Sequence, residues 1–360
     1  AHSIQNGMHQ VIPGALGYHT TAMGIAISEL KYGLKGYQYY GKVKEALENN
    51  GMTSEQKILN KYGMTQEEII TDGEIVSHIE PIIGYLHRCF EKHCENLSYE
   101  QIAPFVDRCD YLAAMHMGHA YAISVEKLLG IEELPPRVEY IRIILAEFQR
   151  ISSHLIAIGV FGLDVGAITP FTWTLRDRER IIDLFEQVTG ARLLYNYIWP
   201  GGLAHDLPST FVNKALEFLD YFEPHIEEYN NLLTTNKIFI ERSADVGVMP
   251  KDVAINYGVT GPSLRGSGIP FDLRKNEPYS IYNKFDFDIP VGQGLMGTVG
   301  DSWDRYYVKV LEMKESIKIL RQALPQIPDG DVQSAMPKKI RPKKGEIYSR
   351  YETCLLYTSP

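Results

Sequence analysis

Residues Pro135 to Gly159 read PPRVEYIRIILAEFQRISSHLIAIG, and this stretch decides the fold. Pro136 suits the first position of a helix, because the N–H it lacks would have no intrahelical partner there. Ile141, Ile144, Leu145, Phe148, Ile151 and Leu155 then place apolar side chains on several faces of one helix, not on a single stripe. A helix of that kind must be surrounded by protein, so the stretch predicts a central, deeply buried helix ending near Gly159. Its most apolar part, Leu155 to Gly162, is far shorter than the roughly 20 residues that a bilayer span requires.

The flanking segments repeat the helical signal. Asp107 to Leu129 carries Leu112, Met115, Ala122, Val125 and Leu129 at helical spacing, and Gly130 stands where such a helix would end. Further helices are predicted over Leu175 to Tyr197 and Phe211 to Thr235, separated by the breaker Pro200-Gly201-Gly202, and over Asp304 to Leu324. Val246 to Gly300 is rich in Gly and Pro and predicts irregular loops with short strands; loops of such length inside a domain are usually functional. GEIVSHI (Gly73 to Ile79) and GEIYSRY (Gly345 to Tyr351) alternate with period two and predict small β elements. The fold class is therefore mainly α with small β elements (α+β), a central long-helix bundle flanked by short antiparallel strands. Residues 71–130 hold the first β element and first bundle helix, 131–330 the bundle with its loop region 246–300, and 331–352 the start of a truncated C-terminal β part. Residues 1–70 are unassigned and read as a possible chimeric segment, and 353–360, ending CLLYTSP, read as translated sequencing adaptor.

Composition excludes more than it identifies. With 360 residues and 44% hydrophobic content the chain can bury a sizeable core. Asp and Glu outnumber Lys and Arg by 45 to 36, and the net charge of −9 is spread along the chain, which argues against nucleic acid as a partner. The one basic run, PKKIRPKK at Pro337 to Lys344, is broken by proline and reads as a solvated linker. Four cysteines (Cys89, Cys94, Cys109 and Cys354) in a chain of this size suit a reducing compartment without disulfides. No signal sequence or membrane span is read, so any membrane contact is expected only through partners.

Several segments stand in a recognisable order: DGEIV at Asp72, IGYLHRCFEK at Ile83, DRCDY at Asp107, AISVEKLLGI at Ala122, PPRVEYIR at Pro135, DVGAITPFTW at Asp164 and GARLLYNYIWPGG at Gly190. GVTGPSLRGSG at Gly258, DLRKNEPYSIY at Asp272, FDIPVG at Phe287 and DRYYVKVLEM at Asp304 follow. From Asp72 to Glu352 the chain thereby resembles the quinone-site (D) subunit family of respiratory complex I, NADH:quinone oxidoreductase, whose fold is shared with the large subunits of nickel–iron hydrogenases. The resemblance implies a cleft for the headgroup of ubiquinone or menaquinone, formed against a small partner subunit that carries an iron–sulfur cluster. It implies further neighbours in the C subunit and the membrane-arm subunits, NAD used by the whole complex and not bound by this chain, and a peripheral place on the cytoplasmic side of the plasma membrane.

The resemblance also implies roles for particular residues. Tyr111 in DRCDY takes the place of the quinone-contacting tyrosine; a phenol remains a hydrogen-bond donor at neutral pH, as reduction of a carbonyl oxygen requires. Without the motif, a helix tyrosine with a satisfied hydroxyl would be the plainer reading. Asp164 in DVGAITPF matches a carboxylate coupled to protonation of the site, although an Asp before Gly also suits a turn. Arg88 and His87, in HRCFEK, fall beside the partner's cluster, where a fixed positive charge would raise a reduction potential. Arg265 and Arg274 read as structural, as do His116, His119, His154 and His205, and no metal site is expected.

Departures from the family pattern matter as well. The family's loop Gly-Pro-x-His-Pro-x-x-His-Gly, whose second histidine faces the quinone, is replaced here by KYGMTQEEIIT, and a histidine in GAR-x-His by Leu194. Two other functions are weighed against the main one. A membrane-bound nickel–iron hydrogenase would need paired Cys-x-x-Cys thiolates, and Asp110 and Ala113 stand where the first pair would be. A non-catalytic scaffold for the cluster-bearing subunit would need no phenol at position 111.

Overall fold

The computed structural model describes residues 69–72, 75–79, 88–131, 133–337 and 339–354. These fall into two compact units, with the boundary between Arg88 and Cys89. In the first unit, strand β1 (Ile69–Asp72) pairs antiparallel with β2 (Ile75–Ile79), with a register irregularity between Ile70 and Thr71.

The second unit is built around one helix. Helices α1 (Phe90–Cys94), α2 (Tyr99–Val106) and α3 (Ala114–Leu129) lead to α4 (Pro136–Asp164), and a short link turns the chain back into α5 (Ile168–Thr189). Every residue of α4 from Tyr140 to Val160 is buried. By length and composition this helix could cross a membrane, more so than the apolar run Leu155 to Gly162 suggests, yet here protein surrounds it. The helix continues to Asp164, beyond the expected end at Gly159, because a glycine inside a helix weakens it without ending it when packing holds both sides. Gly159 has a packing role: a Cβ there would collide with the Thr174 hydroxyl and meet the Phe171 Cα at 3.3 Å.

A two-residue ladder, β3 (Ile198–Trp199) with β4 (Gly202–Leu203), follows α5 and surrounds the Pro200-Gly201 break. It is anchored electrostatically. Arg142 of α4 donates to Glu126 of α3 at 2.6 Å and to the carbonyls of Trp199 and Gly202, while Glu126 accepts the Gly201 amide at 2.7 Å. Helix α6 (Phe211–Tyr229) ends in a π turn over Asn230–Thr234 and packs Phe218 against Phe148 of α4 at a ring separation of 5.9 Å. Four short helices follow: α7 (Lys237–Ser243), α8 (Lys251–Asn256), α9 (Gly261–Gly266) and α10 (Leu273–Asn276). The long α11 (Ser302–Ala323) then returns across α4.

The architecture is the expected mainly α fold with small antiparallel strands, but several boundaries move. The helix expected from Asp107 starts at Ala114, since residues 107–113 form a series of turns held by Asp110. The helix expected over Leu175 to Tyr197 lies at 168–189: Pro170 is tolerated in its first turn, and Gly190, at φ +74°, ends it in the left-handed conformation. The region 246–300 contains short helices and bends in place of strands. Its loops are gathered by Asp304, which accepts the amides of Gly294 (2.9 Å) and Gly300 (3.3 Å), and by Asp301, which accepts that of Asp245 (2.9 Å). The strand expected at Gly345 to Tyr351 does not form among the described residues. That segment runs as coil, and its alternation serves to seat Ser349 and Tyr351 on α3. Residues Thr353 and Cys354, which the sequence alone suggests to be adaptor, are buried against α4.

The close approach of α4 and α5 at Gly159 gives a first test. Gly159→Val should destabilise the chain by about 1–3 kcal/mol through overpacking, read as a lower denaturant midpoint at unchanged slope. A midpoint equal to wild type would show that the two helices can part at no cost.

Candidate functional site

The DRCDY turn connects α2 to α3. Asp107 accepts the backbone amide of Asn196 at 2.6 Å, which ties the turn to the chain after α5, and burial pushes its pKa up to about 6. Asp110 accepts the amide of Leu112 at 3.2 Å in an Asx-type turn. Gln149 of α4 donates to the Leu112 carbonyl at 2.6 Å, so the turn is clasped to the central helix at mid-length. Tyr111 projects from this clasped turn half-buried, and its pKa is raised, first by burial and then by the charge of Asp110. It is therefore a neutral donor across the physiological range.

Behind the turn, α4 carries charge into the core. Glu147 accepts from Arg150 (3.2 Å), Arg274 (3.2 Å), the Tyr282 hydroxyl (2.7 Å) and the Ser316 hydroxyl (2.6 Å), all buried. Those donors outweigh desolvation and bring its pKa down to about 2. Arg274 also holds Asp272 at 2.7 Å. Arg265 donates to Glu312 at 2.6 Å and to Glu352 at 2.9 Å, and Glu312 meets the His154 Nε2 at 2.8 Å. Arg150 reaches the main-chain oxygens of Glu352 and Thr353. Burial lowers the pKa of His154 to about 4 against the opposing pull of Glu312, which leaves its ring neutral. The result is a continuous buried network joining α4, α9, α10, α11 and the C-terminal segment.

A second buried polar group lies on α3. His116 and His119, one turn apart, both turn Nδ1 toward the Tyr351 hydroxyl, at 3.1 and 3.0 Å. A phenol has a single proton, so it donates to one ring and accepts from the other, and the two imidazoles hold opposite tautomers. Burial drives both pKa values well below the usual histidine range.

The residues singled out in the sequence are placed as follows. Tyr111 sits in the turn beside Gln149. Asp164 ends α4, half-buried, 15 residues beyond Gln149 and so about 22 Å further along the axis. The two are not in contact, and the buried network occupies the levels of α4 between them. Arg88 is exposed and belongs to the first unit; His87 lies outside the described residues. Arg265 and Arg274 are fully buried. Sequence reasoning missed Glu147, Arg150, Glu312 and Glu352. The signal was available in α4, where Glu147, Arg150 and His154 interrupt an apolar run at spacings of three and four and so share a helix face.

A mainly helical core penetrated by paired charges, with a half-buried phenol on a turn clasped to it, defines a class of protein built to hold polar chemistry against an apolar bundle. The family model for the 49 kDa subunit of respiratory-chain NADH dehydrogenase matches residues 164–358. The NADH-quinone oxidoreductase D subunit 1 of Cytophaga hutchinsonii is 56% identical over 299 residues, covering 81% of this chain and 76% of that protein. The D subunit of the Chlorobaculum tepidum enzyme is 55% identical over 294 residues (81% and 73% covered), and that of Pelodictyon phaeoclathratiforme 52% over 311 residues (84% and 78%). The chain belongs to the 49 kDa subunit family of respiratory-chain NADH dehydrogenase.

The network makes stability depend on pH in a predictable direction. A histidine whose folded pKa of about 4 lies below its unfolded value binds fewer protons when folded, so it withdraws stability as pH falls from about 6.5 toward 4. His154→Gln retains a donor for Glu312 and should remove this loss. Relative to wild type it should gain about 2–3 kcal/mol between pH 6.5 and 4, measured by denaturant titration across that range. A constant difference between the two proteins at all pH values would mean that His154 carries no titration of its own.

Proposed function

We propose that this chain is the subunit of a proton-pumping NADH:quinone oxidoreductase that forms the quinone-reduction site, together with a small partner subunit carrying an iron–sulfur cluster. The observation that carries the reading is Tyr111: a neutral phenol, half-buried, on a turn fixed at both ends by Asp107–Asn196 and Gln149–Leu112. The names of the relatives supply the reaction class, NADH as donor and a quinone as acceptor. All three are D subunits of that oxidoreductase, which favours this reading over a hydrogenase large subunit.

Reduction of a quinone places negative charge on its carbonyl oxygens, and a preorganised donor aimed at one of them stabilises that charge most where water is excluded. Tyr111 meets this need without reorganisation, since the turn that carries it is already clasped to α4. Asp164, at the far end of α4, acts in this reading as a protonation-linked carboxylate, and the charged network is the polar material between it and the turn. Arg88 and His87 are assigned to the side of the partner's cluster. NAD is bound elsewhere in the complex, and ubiquinone or menaquinone is the substrate.

Exposed apolar side chains at Val246, Val248, Ile255, Tyr257, Leu295 and Met296 are concentrated in the loop region 246–300. Such a patch on one member of a complex is contact area for neighbours. It supports placing the chain among the cluster-bearing subunit, the C subunit and the membrane-arm subunits, peripheral to the membrane on its cytoplasmic side.

Tyr111→Phe, introduced into the assembled complex, should lower NADH:quinone activity by about 10²-fold, as loss of a positioned donor does. NADH oxidation with a water-soluble acceptor that draws electrons upstream of the quinone should be unchanged. Equal quinone activity in variant and wild type would leave a scaffold role as the better reading.

A further inference from the structure

Asp110 is 1% exposed and lies in the turn beside Tyr111. Its Oδ1 accepts the Leu112 amide, and the Ala113 amide also bonds to the carboxylate, whereas no donor among the described residues reaches Oδ2. The other buried carboxylates along α4 are matched differently: Glu126 by Arg142, Glu147 by Arg150 and Arg274, Asp272 by Arg274, and Glu312 and Glu352 by Arg265. Asp110 has no such cation among the described residues. The titratable groups facing it there are Cys109 and Tyr111 on its own turn and Cys354 from the C-terminal segment. From α4, Gln149 and Ser153 stand beside the turn uncharged, and the guanidinium of Arg150 is engaged by Glu147 and by the carbonyls of Glu352 and Thr353.

A buried carboxyl without a cation is held more readily as the neutral acid, with the proton on the oxygen that no amide claims. In that form it is a donor. When ionised, it opposes loss of the phenolic proton, since its charge is among the causes that raise the pKa of Tyr111. When protonated, it removes that opposition and has a proton to give.

We propose that Asp110 is the carboxylic acid that returns a proton to Tyr111 during quinone reduction, acting through the phenol and not on the quinone. This rests on the reading of Tyr111 as the donor to the quinone. The step balances as follows. NADH supplies two electrons through the partner clusters, and the quinone takes up two electrons and two protons. Tyr111 yields its phenolic proton to one quinone oxygen and becomes a phenolate. The O–H bond of Asp110 then breaks and the O–H bond of Tyr111 re-forms, after which the Asp110 carboxylate takes a proton from solvent. Neither side chain changes oxidation state. Burial pushes the pKa of Asp110 up to about 6, close enough to neutrality for reprotonation between turnovers.

The test uses the assembled complex with Asp110→Asn, Asp110→Glu and Tyr111→Phe in parallel. Asparagine retains the Oδ1 acceptor for the two turn amides but cannot supply the proton. Asp110→Asn should lower kcat by about 10²-fold with KM for quinone within about twofold, and should lose an alkaline limb of the pH–activity profile that wild type has and Asp110→Glu partly restores. Asp110→Asn activity within about twofold of wild type, with the same pH profile and an impaired Tyr111→Phe, overturns the proposal and spares the reading of Tyr111. An unimpaired Tyr111→Phe overturns both. Should Asp110→Asn fail to assemble, difference infrared spectra of quinone reduction decide: a protonated-carboxyl band that shifts between wild type and Asp110→Glu supports the proposal, and an identical band, or none, overturns it.

Discussion

Everything in the second unit depends on neutralising Glu147. It sits at the middle of a helix buried on all sides, where an unpaired carboxylate would cost several kcal/mol. Two guanidiniums and two hydroxyls reach it from α4 itself, α10, α11 and the 3₁₀ turn at Tyr282–Lys284. Such a pair adds little net stability over an apolar equivalent, but breaking one partner is expensive, so it fixes which elements lie against which face. The short helices of the Gly-rich region have little core of their own, and their position is set largely through Arg265, Arg274 and Asp272.

That arrangement explains why a region rich in glycine and proline is ordered. Asp304 and Asp301, at the start of α11, receive amides from Gly294, Gly300 and Asp245, and the buried arginines anchor the other side. Apolar burial then covers the exterior of α4 with α5, α6 and α11, while charge fills its inner seam. A helix apolar enough to cross a bilayer is thereby made into the axis of a water-surrounded bundle, with its functional turn fixed at one level and Asp164 at its end.

The helices were legible because they repeat apolar residues at the α period over long stretches, and the central helix most of all. Boundaries were less legible where side chains compete with the backbone. Asp110 delays α3 by accepting an amide that a helix would use, and Pro170 was not recognised as a first-turn proline. The alternating Gly345 to Tyr351 segment gave a correct pattern of inward and outward side chains without a strand, because period two reports burial on one face and not the presence of a hydrogen-bonded neighbour. Tyr111 was legible only through the motif around it; composition and periodicity alone would have left it one tyrosine of 23. The buried network was not legible at all, since pairing between residues 147, 274, 312 and 352 is tertiary information.

Arg150 grips main-chain oxygens at positions 352 and 353 and no side chain there. Carbonyl oxygens are common to all twenty amino acids, proline included, so the clamp is blind to sequence. The chain at this point can change its side chains freely and still be seated on the central helix, whereas Glu352, whose carboxylate faces Arg265, cannot. Substitution tolerance should therefore differ sharply between two adjacent residues that a surface-area measure would treat as equally interior.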